Sequence, residues 1–251
     1  MAIIALKAWY LDGYEPIAEL DQRPHDLRLS KKSLLKSGLR ADFLDDAAEV
    51  KASPWFRRYL EGERVEFYIE GSGGYAIANI DLISQEIYFT KGNIAAYLEP
   101  TIVVSEAMGG ADWGAIAEEY LGGVEKKLRV PVTVTRSPRL SDNVHRLTQT
   151  LARQIRQCLV FVADTTALTS VGSDPGLLVP SPQVALELGY GLAVKPADQI
   201  LVLDATAVGS KGAYPFDLPS YQLVRVPDGE DPAARFGQAL GDRLQQLRVL
   251  K

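Results

Sequence analysis

One carboxylate stands in an otherwise apolar helix pattern in the second half of the chain. The stretch SPQVALELGYGLAVK, residues 181–195, predicts a single helix, and Glu187 is its only acid. Gln183, Glu187 and Tyr190 are spaced i, i+4 and i+7, so they share one helix face. A narrow polar stripe of this kind is typical either of a solvated face or of the wall of a ligand cleft.

Two glycines next to this acid favour the cleft. Gly189 and Gly191 each cost the helix about 1 kcal/mol relative to alanine. Such glycines commonly allow another backbone or a ligand to approach closely. We therefore interpret Glu187 as a ligand-contacting carboxylate, with a solvated acid or a structural salt bridge as the alternatives.

The elements around this helix predict a parallel sheet. From residue 98 onward, strand patterns alternate with helix patterns, which implies parallel strands joined by right-handed crossovers. The strand patterns are TIVVSEAMGG, VPVTVTRS, CLVFVADTT, QILVLDA and QLVRVP. We predict an α/β domain over residues 98–251, a flavodoxin-like parallel five-stranded sheet with flanking helices. The stretch DPGLLVPSP, residues 174–182, is interpreted as a loop stiffened by prolines.

The first part of the chain has a different pattern. The short runs IIALKAWYLD, RVEFYIEG, GYAIANIDL and SQEIYFTK are rich in β-branched and aromatic residues and predict antiparallel strands. Between the first two runs lies a polar segment, residues 12–62, where KKSLLKSGL and SPWFRRYLEG predict short helices. The second helix has Ser53 as its cap and Pro54 as its first residue. We predict a small α+β domain with an antiparallel sheet over residues 1–97, of unassigned role.

Polar residues follow the predicted parallel strands, at the edge where open sheets bind ligands. Ser105, Gly109 and Gly110 follow the first strand and could cradle a phosphate, but they do not form a G-x-G-x-x-G motif, and a plain tight turn is the stronger interpretation. Asp164 and Thr165 follow the third strand; Asp164 could bind ribose hydroxyls or cap the next turn. Trp113 could stack on a base or cover the sheet. These residues, with Gln183 and Tyr190, are the candidate substrate contacts around Glu187.

Composition limits the classes of partner. The chain has 251 residues and a formal net charge of -5, which gives no basic footprint for nucleic acid. The chain has a single cysteine, Cys158, which excludes an intrachain disulfide and a four-cysteine zinc site. Cys158 lies in an apolar run and is interpreted as a buried structural thiol, and two histidines leave little for a transition-metal site. No signal peptide or stretch of about 20 apolar residues is present. We expect a cytoplasmic protein with no membrane, metal or nucleic-acid partner.

A series of motifs resembles a known family. The stretches ADTTAL (163–168), SPQVALELGYGLAV (181–194), ILVLDA (200–205) and YPFDLPSYQLVRV (214–226) are similar to the bacterial TIR-like predicted nucleotide-binding domains. A more distant similarity connects them to nucleoside deoxyribosyltransferases. The match covers about the last 100 residues. Phe216 and Asp217 match a Pro-Phe-Asp-Leu segment of the family, whereas Gln183 replaces its usual asparagine.

The resemblance implies cleavage of a bond between a sugar and a base. By motif, Glu187 is the catalytic carboxylate, with the nicotinamide–ribose bond of NAD as the candidate target and no cofactor required. Glu187 could stabilise an oxocarbenium-like sugar, bind a ribose hydroxyl, or form a glycosyl ester. The resemblance also implies a homo-oligomer. The departures from the family pattern leave a second hypothesis, a regulatory module that binds a nucleotide without cleaving it and relays its occupancy to a partner.

Overall fold

The protein is divided into two compact units. The structure is a computed structural model that describes residues 5–30, 39–92, 94–107, 110–138, 147–172, 176–206, 212–214, 223–226 and 229–251. The contacts within the chain separate Met1–Tyr97 from Leu98–Lys251. Within the described ranges, every helix is too short or too polar to cross a lipid bilayer.

The first unit contains a closed antiparallel barrel of six strands, in the order β1-β2-β3-β6-β5-β4. Its core includes Trp55 and Phe67, whose rings meet edge-on with centroids 5.1 Å apart. Its strands are β1 (Ala5–Tyr10), β2 (Leu27–Ser30), β3 (Leu39–Leu44), β4 (Glu66–Ile69), β5 (Gly73–Asp81) and β6 (Glu86–Lys91). Its helices are α1 (Ile17–Leu20), α2 (Ala47–Ala52) and α3 (Pro54–Leu60), and a 3₁₀ turn spans Ala95–Tyr97.

The antiparallel sheet was predicted correctly, but two of its strands were not. β2 and β3 lie in the segment interpreted as polar with short helices. β3 alternates between buried and partly exposed positions, yet Arg40 and Asp42 occupy two of its buried positions. Charged residues at inward positions remove the apolar alternation by which a strand is recognised, so the pattern was missed.

The helix predicted at residues 53–62 is confirmed as α3. Ser53 is its N-cap, and the Oγ atom accepts a hydrogen bond from the Phe56 amide at 3.3 Å. Pro54 occupies the first helical position, where its missing N–H costs nothing. The other predicted helix, KKSLLKSGL, falls almost entirely on residues 31–38, outside the described residues.

The second unit is built on a parallel five-stranded sheet with the order β14-β12-β9-β7-β8. Counted along the chain within this sheet, the order is 2-1-3-4-5, the flavodoxin-like arrangement that was predicted. The strands of this unit are β7 (Glu99–Ser105), β8 (Thr133–Arg136), β9 (Cys158–Asp164), β10 (Thr169–Val171), β11 (Gly176–Val179), β12 (Ile200–Asp204), β13 (Gly212–Ala213) and β14 (Leu223–Arg225).

Two helix pairs flank this sheet. α4 packs against α7, and α5 packs against α6. The α5–α6 pair covers Val103 of β7 together with Phe161 and Ala163 of β9. The helices are α4 (Trp113–Val124), α5 (Gln149–Gln157), α6 (Pro182–Val194) and α7 (Pro232–Gln246), with 3₁₀ turns at Glu125–Lys127 and Ala197–Gln199.

The interpretation of residues 174–182 as a plain loop was wrong. Gly176–Val179 forms β11, which pairs antiparallel with β10 and parallel with β13 in a small separate sheet. Four residues between prolines carry too weak a local pattern to identify a strand. The hydrogen bonds that define β11 come from strands whose pairing the local sequence does not specify.

Candidate functional site

The candidate site lies where three neighbouring strands of the parallel sheet end. β7 lies between β8 and β9, and Ser105, the last residue of β7, pairs with Ala163 of β9. Ser137 follows the last residue of β8, and its amide donates a hydrogen bond of 2.8 Å to the Val104 carbonyl. Ser105, Ser137 and Asp164 therefore stand at adjacent strand ends, on the edge where open α/β sheets bind ligands.

α6 turns Glu187 toward the interior. Glu187 has 0% of its surface exposed, and it shares the buried face of α6 with Val184, Leu188 and Gly191. Two large apolar residues of α6 lie on the opposite side, and Leu186 and Leu192 are 50% and 40% exposed. The sheet can cover only one side of the helix, and that side contains the acid.

Two donors hold the carboxylate of Glu187. The Ser137 hydroxyl donates to Oε1 at 2.7 Å, and Nε2 of Gln183 donates to the same oxygen at 3.0 Å. The Gln183 amide also donates to the Pro138 carbonyl at 3.1 Å. Hydrogen bonds to a charged acceptor are stronger than neutral ones, so this arrangement fixes the orientation of a buried carboxylate.

Ser105 faces the same side of the sheet as Glu187. Val103, two residues earlier in β7, packs with Val184 and Leu188 of α6. Because side chains two apart in a strand point to the same face, Ser105 also points toward α6. Ser105 is fully buried, and its hydroxyl oxygen has no hydrogen-bond partner among the described residues. A buried hydroxyl without a partner costs free energy, and this position is suited to contacting a ligand.

Asp164 lies at the end of β9 and is 1% exposed. Its Oδ1 atom accepts a hydrogen bond from the Thr166 amide at 3.0 Å, as in a turn-capping aspartate. Its Oδ2 atom accepts a long hydrogen bond of 3.5 Å from the Ala107 amide. A Cβ atom on Gly110 would lie 3.5 Å from the same oxygen, so Gly110 borders this carboxylate. Gly109 lies outside the described residues.

Three other predicted contacts lie in packed or structural positions. Thr165 is buried, and its hydroxyl donates to the Leu203 carbonyl at 2.9 Å, which ties β9 to β12. Trp113 is 0% exposed and meets Phe236 of α7 edge-on, with ring centroids 5.6 Å apart. Tyr190 is partly buried against the core cluster beneath α5 and α6.

Sequence reasoning missed the contact that Ser137 makes with Glu187. Its position could have indicated this contact, because Ser137 is the last residue of the predicted strand VPVTVTRS and so lies at the edge of the sheet where ligands bind. Sequence reasoning also missed Tyr214, whose hydroxyl donates to Oδ1 of Asp204 at 2.7 Å. Burial raises the pKa of the Tyr214 hydroxyl well above its ordinary value, so this group acts as a neutral donor.

A charged cluster lies beside the start of α4. Arg136 precedes Ser137, and its side chain pairs with Asp112 at 3.0 Å and with Glu118 at 3.5 Å. Glu106 lies 3.8 Å from the Arg136 guanidinium and accepts a hydrogen bond from the Gly114 amide at 3.2 Å. Each partner is tied to α4 or to the end of β7, so the cluster holds this turn in place.

Comparison with protein-family models, with curated proteins and with solved structures found no match for this chain. The similarity to TIR-like domains therefore stays a prediction from the motif series. The described residues also contain no group of three or more His, Cys, Asp or Glu placed to hold a metal ion.

Proposed function

We propose that the second unit is a nucleotide N-glycosidase that hydrolyses the nicotinamide–ribose bond of NAD or a related nucleotide. One observation carries the proposal: Glu187 is a fully buried carboxylate, held by Ser137 and Gln183 at the ligand-binding edge of the sheet. Carboxylates with fixed positions in buried sites are common in catalysis. Glu187 is the catalytic carboxylate in this proposal.

One such carboxylate is sufficient for this reaction. The nicotinamide ring of NAD is a positively charged pyridinium, and it leaves as a neutral base when its nitrogen keeps the bonding electrons, so its departure requires no general acid. The sugar left behind resembles an oxocarbenium ion, as in glycoside hydrolysis. Glu187 can stabilise that charge, bind a ribose hydroxyl, or attack the sugar to form an ester that water then cleaves.

The surrounding residues suggest how the substrate is held. Ser105 supplies a buried hydroxyl on the same side of the sheet as Glu187 and is suited to a sugar hydroxyl. Asp164 lies at the end of β9, next to the turn at Gly110 that follows β7, and its carboxylate is a candidate for binding ribose hydroxyls. Gln183 positions Glu187 through its amide. We omit Trp113 and Thr165 from the proposed contacts, because their side chains are occupied in packing and in a structural hydrogen bond.

A second candidate is a module that binds a nucleotide without cleaving it. It is favoured by the complete burial of Glu187, whose Oε1 already accepts two hydrogen bonds. Because none of the surface of Glu187 is exposed, a sugar can reach this carboxylate only if the residues around it rearrange. A nucleotide that binds at the strand ends without contacting Glu187 would be bound but not hydrolysed.

Nicotinamide release by the purified full chain tests the enzyme hypothesis. We expect wild-type protein incubated with NAD to release nicotinamide, measured by chromatography, and Glu187→Gln to lose at least about 100-fold in rate. Glutamine retains an oxygen that can accept from Ser137, so the variant should fold. The matched control is Glu119→Gln, which neutralises an exposed acid on α4 and should leave the rate unchanged.

The outcomes separate the two hypotheses. Equal release by wild type and Glu187→Gln, or no release at any protein concentration, rejects the glycosidase. Thermal unfolding with a panel of nucleotides then tests the binding module. A ligand at about 100 times its Kd should add about 2.7 kcal/mol of stability. No response to any nucleotide rejects binding as well.

A further inference from the structure

The outer face of α6 is apolar and exposed. Leu186 is 50% exposed, Leu192 is 40% exposed and Val194 is 37% exposed. α6 is described throughout, and all its exposed residues are apolar: Pro182, Leu186, Gly189, Leu192, Ala193 and Val194. The solvent-facing side of a surface helix is normally polar or charged. An uncovered apolar face of this kind indicates an interaction surface.

Both residues of this segment that carry a charge at neutral pH point inward. Glu187 is 0% exposed and bonds to Ser137. Lys195, which directly follows α6, is 6% exposed, and its Nζ atom donates to the Cys158 carbonyl at 2.6 Å. The outer face therefore presents no charge, although the chain as a whole carries a net charge of -5.

Three pairs of identical residues in and next to α6 lie symmetrically about Gly189, and all of them are exposed except Ala185, which is partly buried. Leu186 and Leu192 lie three positions before and after it, Ala185 and Ala193 lie four positions away, and Pro182 and Pro196 lie seven positions away. In an antiparallel helix pair on a twofold axis, a residue before the centre meets the residue equally far after it on the other helix. This pattern would place leucine against leucine and alanine against alanine.

We infer that the outer face of α6 pairs with the same face of a second copy of the chain, antiparallel, about a twofold axis at Gly189. Nothing lies within 4 Å of a Cβ built at Gly189, so the centre of this face is open to another backbone. Small residues at the centre permit the 8–10 Å spacing typical of packed helices. With no charge on the face, two acidic chains meet there without repulsion between like charges.

Exposed apolar side chains also occur in the segment that precedes α6 in the chain. Leu168, which precedes β10, is 56% exposed, and Val171 and Leu177 in the hairpin of β10 and β11 are 58% and 42% exposed. The pairing does not rest on the proposed glycosidase activity, although it would brace the helix that contains Glu187.

The mass of the full chain in solution tests the pairing. Sedimentation equilibrium over a wide concentration range should give twice the 27.4 kDa mass of the chain. Leu186→Glu should give a monomer, because it buries a charge opposite Leu192 of the second copy. The matched control is Ile83→Glu, which places a charge at a leucine-sized residue that is 97% exposed in the first unit. Ile83→Glu should remain a dimer.

Two further variants test the antiparallel register. The double variant L186E/L192K should restore the dimer, because each glutamate then meets a lysine of the second copy. A parallel pair would place glutamate against glutamate and would stay dissociated. Gly189→Cys should form a disulfide-linked dimer under mild oxidation, whereas Ile83→Cys should not. The only other cysteine of the chain, Cys158, is buried.

Several results would overturn the inference. A wild-type monomer at every concentration would do so. A dimer that persists in Leu186→Glu, with its fold checked by circular dichroism, would place the interface elsewhere. Absence of a linked Gly189→Cys dimer would exclude a twofold axis at this residue, even if the charged variants failed to fold.

Discussion

The hydroxyl of Ser137 donates a hydrogen bond of 2.7 Å to Oε1 of Glu187, across 50 positions of sequence. This bond joins the end of β8 to the middle of α6 on the covered side of the sheet. Both residues are almost completely buried, with exposed fractions of 3% and 0%. The bond is therefore both a structural link between two elements and a determinant of how the carboxylate is oriented.

Removal of the Ser137 hydroxyl should destabilise the protein. Ser137→Ala takes a donor from a buried carboxylate, and we expect the free energy of unfolding to fall by about 1–3 kcal/mol. Urea denaturation measures this change. Ser84→Ala is the matched control, since it removes a serine hydroxyl that donates to Asp81 at 2.9 Å on the surface. Because water can replace that exposed bond, Ser84→Ala should change the free energy of unfolding less than Ser137→Ala. An equal decrease in both variants would contradict the role assigned to Ser137.

Two glycines of α6 should respond oppositely to alanine. A Cβ on Gly191 would lie 2.8 Å from Cδ1 of Phe161, so Gly191→Ala should cost about 1–3 kcal/mol through overpacking. A Cβ on Gly189 meets nothing within 4 Å, and Gly189→Ala should stabilise the helix by up to about 1 kcal/mol. Thermal unfolding of both variants at one low protein concentration measures the difference. Stabilisation by Gly191→Ala would show that α6 can shift away from β9.

The ion pair inside the barrel should be costly to break. Asp42 is 0% exposed, and its carboxylate pairs with Arg40, which is 7% exposed. Burial alone would lower the pKa of the Arg40 guanidinium, but its hydrogen bonds to Asp42 raise it above the ordinary value. Asp42→Ala leaves a buried cation without its partner and should cost about 3–5 kcal/mol in urea denaturation.

Two comparisons isolate the effect of the unpaired charge. The double variant R40M/D42L removes both charges and should recover most of the lost stability, because apolar residues can replace a buried ion pair. Glu61→Ala breaks the exposed pair with Arg57 and should cost less than about 0.5 kcal/mol. A double variant no more stable than Asp42→Ala would show that packing, rather than charge, determines the cost.

Cys158 should contribute a loss of stability at alkaline pH. Burial raises the pKa of the Cys158 thiol above its ordinary value of 9.0, although Lys195 opposes the shift. Above pH 9 the unfolded chain releases this proton while the folded chain retains it, so rising pH favours unfolding. Wild type should therefore lose stability relative to Cys158→Ser as the pH rises above 9. Urea denaturation at several pH values measures this, and a constant difference would contradict the assignment.

The sequence alone was enough to identify the parallel sheet and the α3 helix. β9 is a continuous apolar run, CLVFVAD, which is typical of a strand covered on both faces. The start of α3 is specified by Ser53 and Pro54, whose effects act within one turn. Signals of this kind are local, so they do not depend on how the rest of the chain folds.

Only the tertiary structure decided which side of α6 meets the sheet. The helix is apolar almost all round, so its sequence contains no strong preference for one buried face, and Leu186 is exposed while Glu187 is covered. The strand β3 was not predicted because Arg40 and Asp42 occupy buried positions in it. These two charges can be buried only because they form an ion pair with each other. Ser137 and Glu187 are 50 positions apart in the sequence, and they meet because the fold brings α6 next to the end of β8. Such relationships arise from long-range packing, which residue spacing along the chain does not encode.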